Sequence, residues 1–523
     1  MVIRITENQI FNAFGKNWKE DIGSFSRVMG FSVETGNDVK IELNPDRPDL
    51  YSILALQRSY LKFINRDFPI GMLKKSKRSL TSLSTQRKYA IAYEVHFRSK
   101  NKEIIQDSLA FTDKLSETTG RSRKMFAFGL HDLDHVHGNL DYREGDSSFN
   151  FDTFDGVSGD IWEMIRKHEK GITYGRNLKN GKYLYLNDEQ GAISIPPLFN
   201  SSRTRIRDET ESMLVDVTAE DRRSLEIAAR LSIGYFINLG ADVSILETIG
   251  RYAIDTDELL KEKHITINPS YIKKSLGFIP EEGKIDSLFE KIGYKKYGAY
   301  TYTPFMGRVD IMGKADLMED LVKAIELRNI SEVPLYSKFT GKPDPFNSAT
   351  EKLRSVMLSM GLQEVINFVL TSKSSADVGS IMIMNPKSED YSAVRKSLFN
   401  GTMEFFKRNK HNGFPQKIFE IGDVIDQNVQ KRLLSIGICS NSSSYSEIKG
   451  YMDAILSNAG IRNPVISPEN LNGFINGRSG GIMINGERSG FIGEIHPETI
   501  KIYELELPVV YMQIELQALL RKL

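Results

Sequence analysis

Arg308-Val-Asp-Ile-Met-Gly-Lys-Ala-Asp-Leu-Met-Glu-Asp320 is the stretch on which the reading of the whole chain turns. Just before and into it, Thr301 to Ile311 alternates as a strand does. Apolar side chains at 317, 318, 321, 322 and 325 then give Leu317 to Arg328 helical spacing. On such a helix Asp316, Glu319 and Asp320 stand at i, i+3 and i+4, on one face of the first turn. Asp310 approaches them from the end of the strand. With no counter-cation evident in the sequence, four converging carboxylates repel one another and ask for a positive charge between them. An all-oxygen set without His or Cys suits Mg²⁺ better than Zn²⁺. The same residues support a plainer reading, since Asp316-x-x-Glu319 is also a capping box and acids in a first turn suit the helix dipole. Spacing alone leaves both open.

Working outward, a chain of 523 residues is too long for a single core and predicts several domains. A net charge of +1, with 26% charged and 40% hydrophobic residues, excludes a globally basic nucleic-acid binder but leaves room for local patches. The single cysteine, Cys439, allows no internal disulfide and no cysteine-based zinc site, as expected in a reducing compartment. Met1-Val-Ile-Arg-Ile-Thr-Glu7 has no apolar secretory region, and no run of about eighteen apolar residues occurs. The expectation is a soluble, cytoplasmic protein.

Residues 1–65 read as a small α/β unit. Within it Asn44-Pro-Asp-Arg-Pro-Asp-Leu50 forms a turn, with Pro48 suited to the start of a helix. Residues 66–88 scatter Lys74, Lys75, Lys77, Arg78, Arg87 and Lys88 among Ser, Thr and Gly, and read as an exposed basic linker. Residues 89–254 form the largest block. It carries a strand at Ala90 to Phe97 and a helix at Ile104 to Thr118, with Leu109, Phe111 and Leu115 as core candidates. His131-Asp-Leu-Asp-His-Val-His137 is the richest His/Asp cluster. Its i, i+4, i+6 spacing fits neither a helix face nor a strand face, so it reads as a polar strand-to-loop exit rather than a metal site. Thr218-Ala-Glu-Asp221 opens a helix over Arg222 to Leu239, which makes Thr218 an N-cap and Asp216 a polar strand end.

Residues 255–335 give helix (Asn268 to Gly277), helix (Ile285 to Ile292) and hairpin (Tyr294 to Pro304), a winged-helix-like order; its lysines permit contact with RNA. Residues 340–523 predict strands at Glu364–Leu370, Ile381–Met384, Lys417–Ile421, Leu433–Cys439, Gly480–Asn485 and Val509–Leu516. The Asn485-Gly486 hairpin requires antiparallel neighbours. No phosphate-binding Walker loop occurs and no Arg-bearing adenylation strand can be assembled; Gly486-Glu-Arg488 reads as a turn.

These motifs together resemble one family. R-x-D-I-x4-D-L-x-E-(E/D), followed by a helix and Val333-Pro334, resembles the Mg²⁺-binding segment of the phenylalanine–tRNA ligase beta subunit, with Asp320 standing where many relatives carry Glu. Ile41 to Leu50 is similar to that family's E-x-x-x-N-R-P-D-L signature, with Asp46 in place of the usual Asn before Arg47. Ser194-Ile-Pro-Pro-Leu-Phe-Asn-Ser201 and Asp216-Val-Thr218 resemble its editing domain. Asn385-Pro-Lys387, Ala393 to Leu398, Phe419-Glu-Ile-Gly422 and Phe491 to Pro497 resemble its catalytic-like domain.

The resemblance implies a multidomain α+β protein. Its parts are a small N-terminal α/β unit, an editing-type domain, a winged-helix-like module and a C-terminal antiparallel-sheet domain of class II synthetase type without the chemistry. It implies Mg²⁺ on Asp310, Asp316, Glu319 and Asp320, and an editing pocket near Ser194, Asn200, Asp216 and Thr218 that hydrolyses mischarged Tyr-tRNA. The implied partners are an alpha subunit, in a two-alpha, two-beta assembly, and the tRNA for phenylalanine. ATP and phenylalanine would bind on the alpha side. The length suggests the archaeal/eukaryotic type. Two other readings of the same residues are a stand-alone Mg²⁺-dependent hydrolase built on the four acids and a non-catalytic RNA-binding scaffold.

Overall fold

The computed structural model describes residues 1–36, 38–334, 336, 339–462 and 464–520. The boundary expected at 335, and residues 521–523 of the last block, therefore lie outside the described residues. The chain divides into two units, Met1–Pro334 and Leu335–Leu523, each mixed α and β.

The first unit begins with a three-stranded antiparallel sheet in which Val39–Leu43 lies between Val2–Ile5 and Phe31–Thr35. Alternation along these strands buries Ile3, Ile5, Val39, Ile41 and Leu43. Helices Glu7–Phe14, Trp18–Met29 and Ile53–Phe63 supply Phe14, Phe25, Tyr60 and Phe63 to the same core, with ring centroids 4.9 to 5.4 Å apart around Tyr60 and Phe63.

A nine-stranded mixed sheet follows. Its order is Phe199–Asn200, Gly191–Ile195, Tyr183–Asp188, Leu140–Gly145, Leu73–Ser82, Asp242–Gly250, Tyr89–His96, Ser212–Ala219 and Phe126–Asp132. Residues 66–88 are thus not a linker, because Leu73–Ser82 lies mid-sheet, parallel to both neighbours. Its basic side chains stand on the exposed half of the strand and meet acids from distant segments: Lys74 with Asp242 at 2.6 Å, Lys75 with Asp257 at 2.7 Å and Arg78 with Glu94 at 3.4 Å. Composition cannot show such long-range pairing. Arg87 is buried and donates to the Thr218 carbonyl at 2.8 Å.

Helices Lys102–Glu117 and Arg222–Asn238 share a core with this sheet through Phe111, Leu115, Val215, Val217, Leu225 and Phe236. The sheet coils until its terminal strands meet, where Asn200 Nδ2 donates to the Leu130 carbonyl at 3.4 Å and the Asp132 N–H to the Thr204 carbonyl at 2.9 Å.

The last part of the unit carries helices Pro269–Leu276, Glu282–Lys291 and Lys314–Ile325 beside a three-stranded sheet with Thr301–Thr303 at its centre. The strand expected to reach Ile311 stops at Thr303. Pro304 has no N–H to donate, and the chain turns where the Arg308 N–H meets the Phe305 carbonyl at 2.9 Å. Gly234 lets this turn approach, since a Cβ there would lie 2.9 Å from the Gly307 nitrogen. The following helix ends at Ile325 rather than Arg328. Glu326 leaves it at φ 63°, held by Arg27 at 3.0 Å.

The second unit is built on a seven-stranded sheet ordered Gln363–Glu364, Gln416–Asp426, Val429–Cys439, Val509–Glu515, Glu487–Ile495, Phe474–Ile484 and Val465–Pro468. Every pair is antiparallel except the first. Helices Pro345–Ser359 and Tyr445–Asn458 pack in one core with Leu434, Ile436, Val510 and Met512; Phe399–Arg408 packs in another with Ile418, Cys439 and Tyr511. The strand expected at Ile381–Met384 reduces to one bridge, Met382 to Ala393. Glu364–Leu370 splits, because the Asn367 backbone N–H and side chain turn to Glu420, at 3.3 and 2.7 Å, instead of a neighbouring strand. Among the described residues no helix is long and apolar enough to cross a membrane.

Candidate functional site

Where the terminal strands of the coiled sheet meet, Ser194, Asn200, Asp216 and Thr218 line one cavity of about 600 Å³. Val215 and Val217 join the core shared with the helices, so the two-residue period of the strand turns Asp216 and Thr218 the other way. Asp216 is no strand end. It sits mid-strand, only 3% exposed, with Gly129 directly across in register. A Cβ on Gly129 would come within 2.0 Å of Asp216 Oδ1, so glycine makes room for the carboxylate. His131, on the same face two residues on, places Nε2 3.0 Å from Asp216 Oδ1 and Nδ1 2.8 Å from Thr204 Oγ1.

Thr218 is not an N-cap. Its hydroxyl accepts from Arg87 Nε at 3.3 Å, while Asp221 caps the helix by accepting from the Ser224 N–H at 2.9 Å. The Ser194 hydroxyl donates to Asn200 Oδ1 at 3.3 Å and to the Phe199 carbonyl at 3.4 Å. Neither acceptor is a base, so nothing activates Ser194 as a nucleophile.

The mouth carries charges of both signs, Arg123 and Lys170 beside Asp113, Asp155 and Glu169. Arg123 donates to the Pro197 carbonyl at 3.2 Å and pairs with Asp113 at 2.8 Å, its guanidinium 4.4 Å from the Tyr174 ring centre. Lys170 lies 4.3 Å over the Phe154 ring; burial, and then the nearby Arg123 charge, lower its pKa. Leu109, expected in the core, lines this cavity and is 40% exposed. The arrangement suits a ligand with an apolar body and a donor at its tip.

His131, Thr204, Gly129 and Arg87 were not legible as members of this site. The one available signal was period-two placement of Gly129 and His131 on a strand, masked by the longer run of His and Asp after it.

The four acids of the opening stretch are placed differently. Arg308, buried beside them, supplies the cation that the sequence did not reveal. Its Nη2 lies 2.7 Å from Asp310 Oδ2 and 2.6 Å from Asp320 Oδ2. Asp320 also accepts from the Tyr294 hydroxyl at 2.6 Å. Burial raises the Asp320 pKa, yet the charges of Arg308 and Arg47 outweigh it and hold the carboxyl below its ordinary value. Arg47 is itself clamped to Asp49 by two bonds of 2.9 Å. Asp316 caps its helix by accepting from the N–H groups of Met312 and Gly313, both at 2.9 Å. Glu319 is exposed and faces Lys323 at 3.6 Å. Among the described residues no group of three or more His, Cys, Asp or Glu is arranged to hold a metal ion. The same holds for His131 to His137, where His131 turns inward to Asp216.

Residues 331–516 match a family model described as the phenylalanyl tRNA synthetase beta chain CLM domain. The phenylalanine–tRNA ligase beta subunit of Thermoplasma volcanium is 31% identical over 99% of this chain and 99% of its own length. That of Thermoplasma acidophilum is 32% identical over 99% and 97%. Among solved structures, an N-terminal fragment of the phenylalanyl-tRNA synthetase beta subunit from Pyrococcus horikoshii shares the fold. It matches with a TM-score of 0.56 at 22% identity, over 62% of this chain and 99% of the fragment.

Proposed function

The chain belongs to the phenylalanine–tRNA ligase beta-subunit family, and from that premise we propose how its parts serve the ligase. It is a subunit of an aminoacyl-tRNA ligase with a role in making phenylalanyl-tRNA. In our reading an alpha subunit performs adenylation and acyl transfer, binding ATP and phenylalanine, in a cytoplasmic assembly of two alpha and two beta chains. The second unit is the class II synthetase-like partner domain. Its exposed Ile366, Phe368, Val378 and Met384, each at least 75% accessible, supply apolar surface for alpha to cover. The helices and hairpin of residues 255–334 form the winged-helix-like module.

The coiled-sheet domain is the editing domain, and the observation that carries this reading is the convergence of Ser194, Asn200, Asp216 and Thr218 on one cavity. Asp216 accepts the phenolic hydroxyl of a tyrosyl group, which phenylalanine lacks. A buried acceptor left unpaired by the wrong ligand discriminates far better than shape does. A positioned water cleaves the ester, since no side chain here is an activated nucleophile.

As they stand, Asp310, Asp316, Glu319 and Asp320 do not fit a divalent ion. Mg²⁺ at this place would first have to displace Arg308. For the same reason the stand-alone hydrolase has no support in the geometry.

The test uses the full chain and tRNA for phenylalanine mischarged with tyrosine. Hydrolysis is expected from the wild type and at least about tenfold less from Asp216→Ala, while charging requires added alpha subunit. Undiminished hydrolysis in the variant removes Asp216 from the pocket. Pyrophosphate exchange into ATP by this chain alone overturns the division of labour.

A further inference from the structure

Asp216 is the group the editing reading depends on, and its carboxylate is free to turn about its own bonds unless something holds it. Among the described residues the only hydrogen bond to that carboxylate comes from His131. His131 is fully buried and does not itself line the cavity; it stands behind Asp216. Thr204, 1% exposed, holds the far side of the ring at Nδ1.

The chemistry of the three groups fixes the direction of the chain. A carboxylate only accepts, so His131 Nε2 carries a hydrogen and donates it to Asp216 Oδ1. In the tautomer with its hydrogen on Nε2, Nδ1 is the acceptor and the Thr204 hydroxyl donates to it. The order Thr204 to His131 to Asp216 occupies Oδ1 and, among the described residues, leaves Oδ2 without a hydrogen bond on a residue that lines the cavity. The Thr204 carbonyl in turn accepts from the Asp132 N–H at 2.9 Å, which ties the relay to the seam where the coiled sheet closes. Gly129 completes the seat, because any side chain there would strike Asp216 Oδ1.

We propose that His131 is a positioning residue for specificity: fixed by Thr204, it orients Asp216 so that one carboxylate oxygen faces the cavity and selects a ligand carrying a hydroxyl at its aromatic tip. This rests on the editing reading for the kind of ligand, though not on whether the ester is cleaved. A ring that merely filled space would leave selectivity intact when replaced by an apolar side chain of similar bulk. An orienting donor would not.

The experiment measures binding of L-tyrosine amide and L-phenylalanine amide to the full chain, by calorimetry, for wild type, His131→Leu and His131→Gln. Urea midpoints are recorded alongside. Wild type is expected to favour the tyrosyl probe about tenfold or more, as suits a hydrogen bond to a charged acceptor. His131→Leu should lose most of that preference while keeping its affinity for the phenylalanyl probe. His131→Gln, whose amide can still donate to Asp216, should recover it to within about threefold of wild type. Three results overturn the proposal: no tyrosyl preference in wild type, an unchanged preference in His131→Leu, or failure of His131→Gln to recover it while remaining folded. If His131→Leu does not fold, the Gln variant together with Thr204→Val decides, since Thr204→Val removes the donor to Nδ1 and should weaken the preference in the same direction. Hydrolysis of tyrosyl-tRNA by wild type is read separately. Preference without hydrolysis ends the editing reading and leaves His131 in its role; hydrolysis with a preference indifferent to His131 does the reverse.

Discussion

Two acid-bearing regions of the first unit differ in what their carboxylates meet. At Arg308–Asp320 four carboxylates crowd one turn and one helix; at Asp216 a single carboxylate faces the cavity from a strand. The crowded set is closed, because Arg308 lies within 2.7 Å of two of the acids and its side chain is only 3% exposed. The solitary one lines a cavity, and among the described residues His131 makes its one hydrogen bond. Whether acids can meet a ligand depends on what already satisfies them and on access to a cavity, not on how many there are. The Arg308 cluster also joins separate parts of the unit. Asp49, of the Asn44–Leu50 turn, packs against Gly307, and a Cβ on that glycine would lie 3.4 Å from the Asp49 Cβ. It is a clasp between segments far apart in the chain.

The largest expected effect comes from opening that clasp. Arg308→Met keeps bulk while leaving the buried Asp320 and the half-buried Asp310 without their cation, and should cost about 3–5 kcal/mol of unfolding free energy. Urea unfolding of the full chain, with and without millimolar Mg²⁺, measures it. Wild type should be indifferent to Mg²⁺ and to chelator. A wild type that gains stability with Mg²⁺ and loses it with chelator would return the acids to the metal and turn Arg308 into a bystander.

How far such distinctions were legible in sequence follows from the range of the interactions. The N-terminal unit, the helix–helix–hairpin order of 255–335, the Asn485-Gly486 turn and the antiparallel second unit all rest on local periodicity and turn chemistry, which one sequence carries. Leu73–Ser82 was read as a linker because its ladder partners lie some sixty and a hundred and seventy residues away. Arg308 was in plain view in the quoted stretch. Its role was hidden because no local pattern brings Arg308 to Asp320; the turn after Pro304 does so, with Asp310 held on the same guanidinium. Asp216 and Thr218 were noticed through motif resemblance, while their local reading as strand end and cap was wrong. His131 joined them only through strand pairing, which no spacing rule reports.

A smaller effect should come from an acid elsewhere in the coiled sheet, Glu144, that is held by hydrogen bonds rather than by a buried cation. Burial pushes Glu144 up. Against it, the Thr85 hydroxyl, the Gln86 and Thr85 N–H groups and the Ser84 hydroxyl all donate to it, and they bring its pKa down to about 2 from 4.5. These bonds fasten the loop that carries Arg87, and with it the contact to Thr218. A carboxyl whose pKa falls on folding adds stability above its unfolded value and loses it as the pH drops toward the folded one. The Glu144 contribution should therefore be whole above about pH 4.5 and fade between there and about pH 2. Urea midpoints for wild type and Glu144→Gln at several pH values in that window should converge on acidification. Curves that stay parallel would mean the loop is fastened by something else.

The smallest effect separates the two regions most sharply, because a metal site and an ion-pair clasp rank the same four acids differently. If all four were ligands to one ion, each would matter to its affinity, and Glu319→Gln and Asp320→Asn would both weaken it. In the clasp their surroundings have nothing in common. The Glu319 side chain is 64% exposed and, among the described residues, pairs only with Lys323, four residues on, at 3.6 Å. An exposed pair of that kind contributes about 0.5 kcal/mol or less. Asp320, bonded to both Arg308 and Tyr294, is buried. Glu319→Gln should leave the urea midpoint unchanged within error, while Asp320→Asn should lower it markedly, since the buried guanidinium loses its nearest charge partner. Equal losses in the two variants, each reversed by Mg²⁺, would show that the acids act as one coordination sphere and that the clasp is what forms when the ion is away.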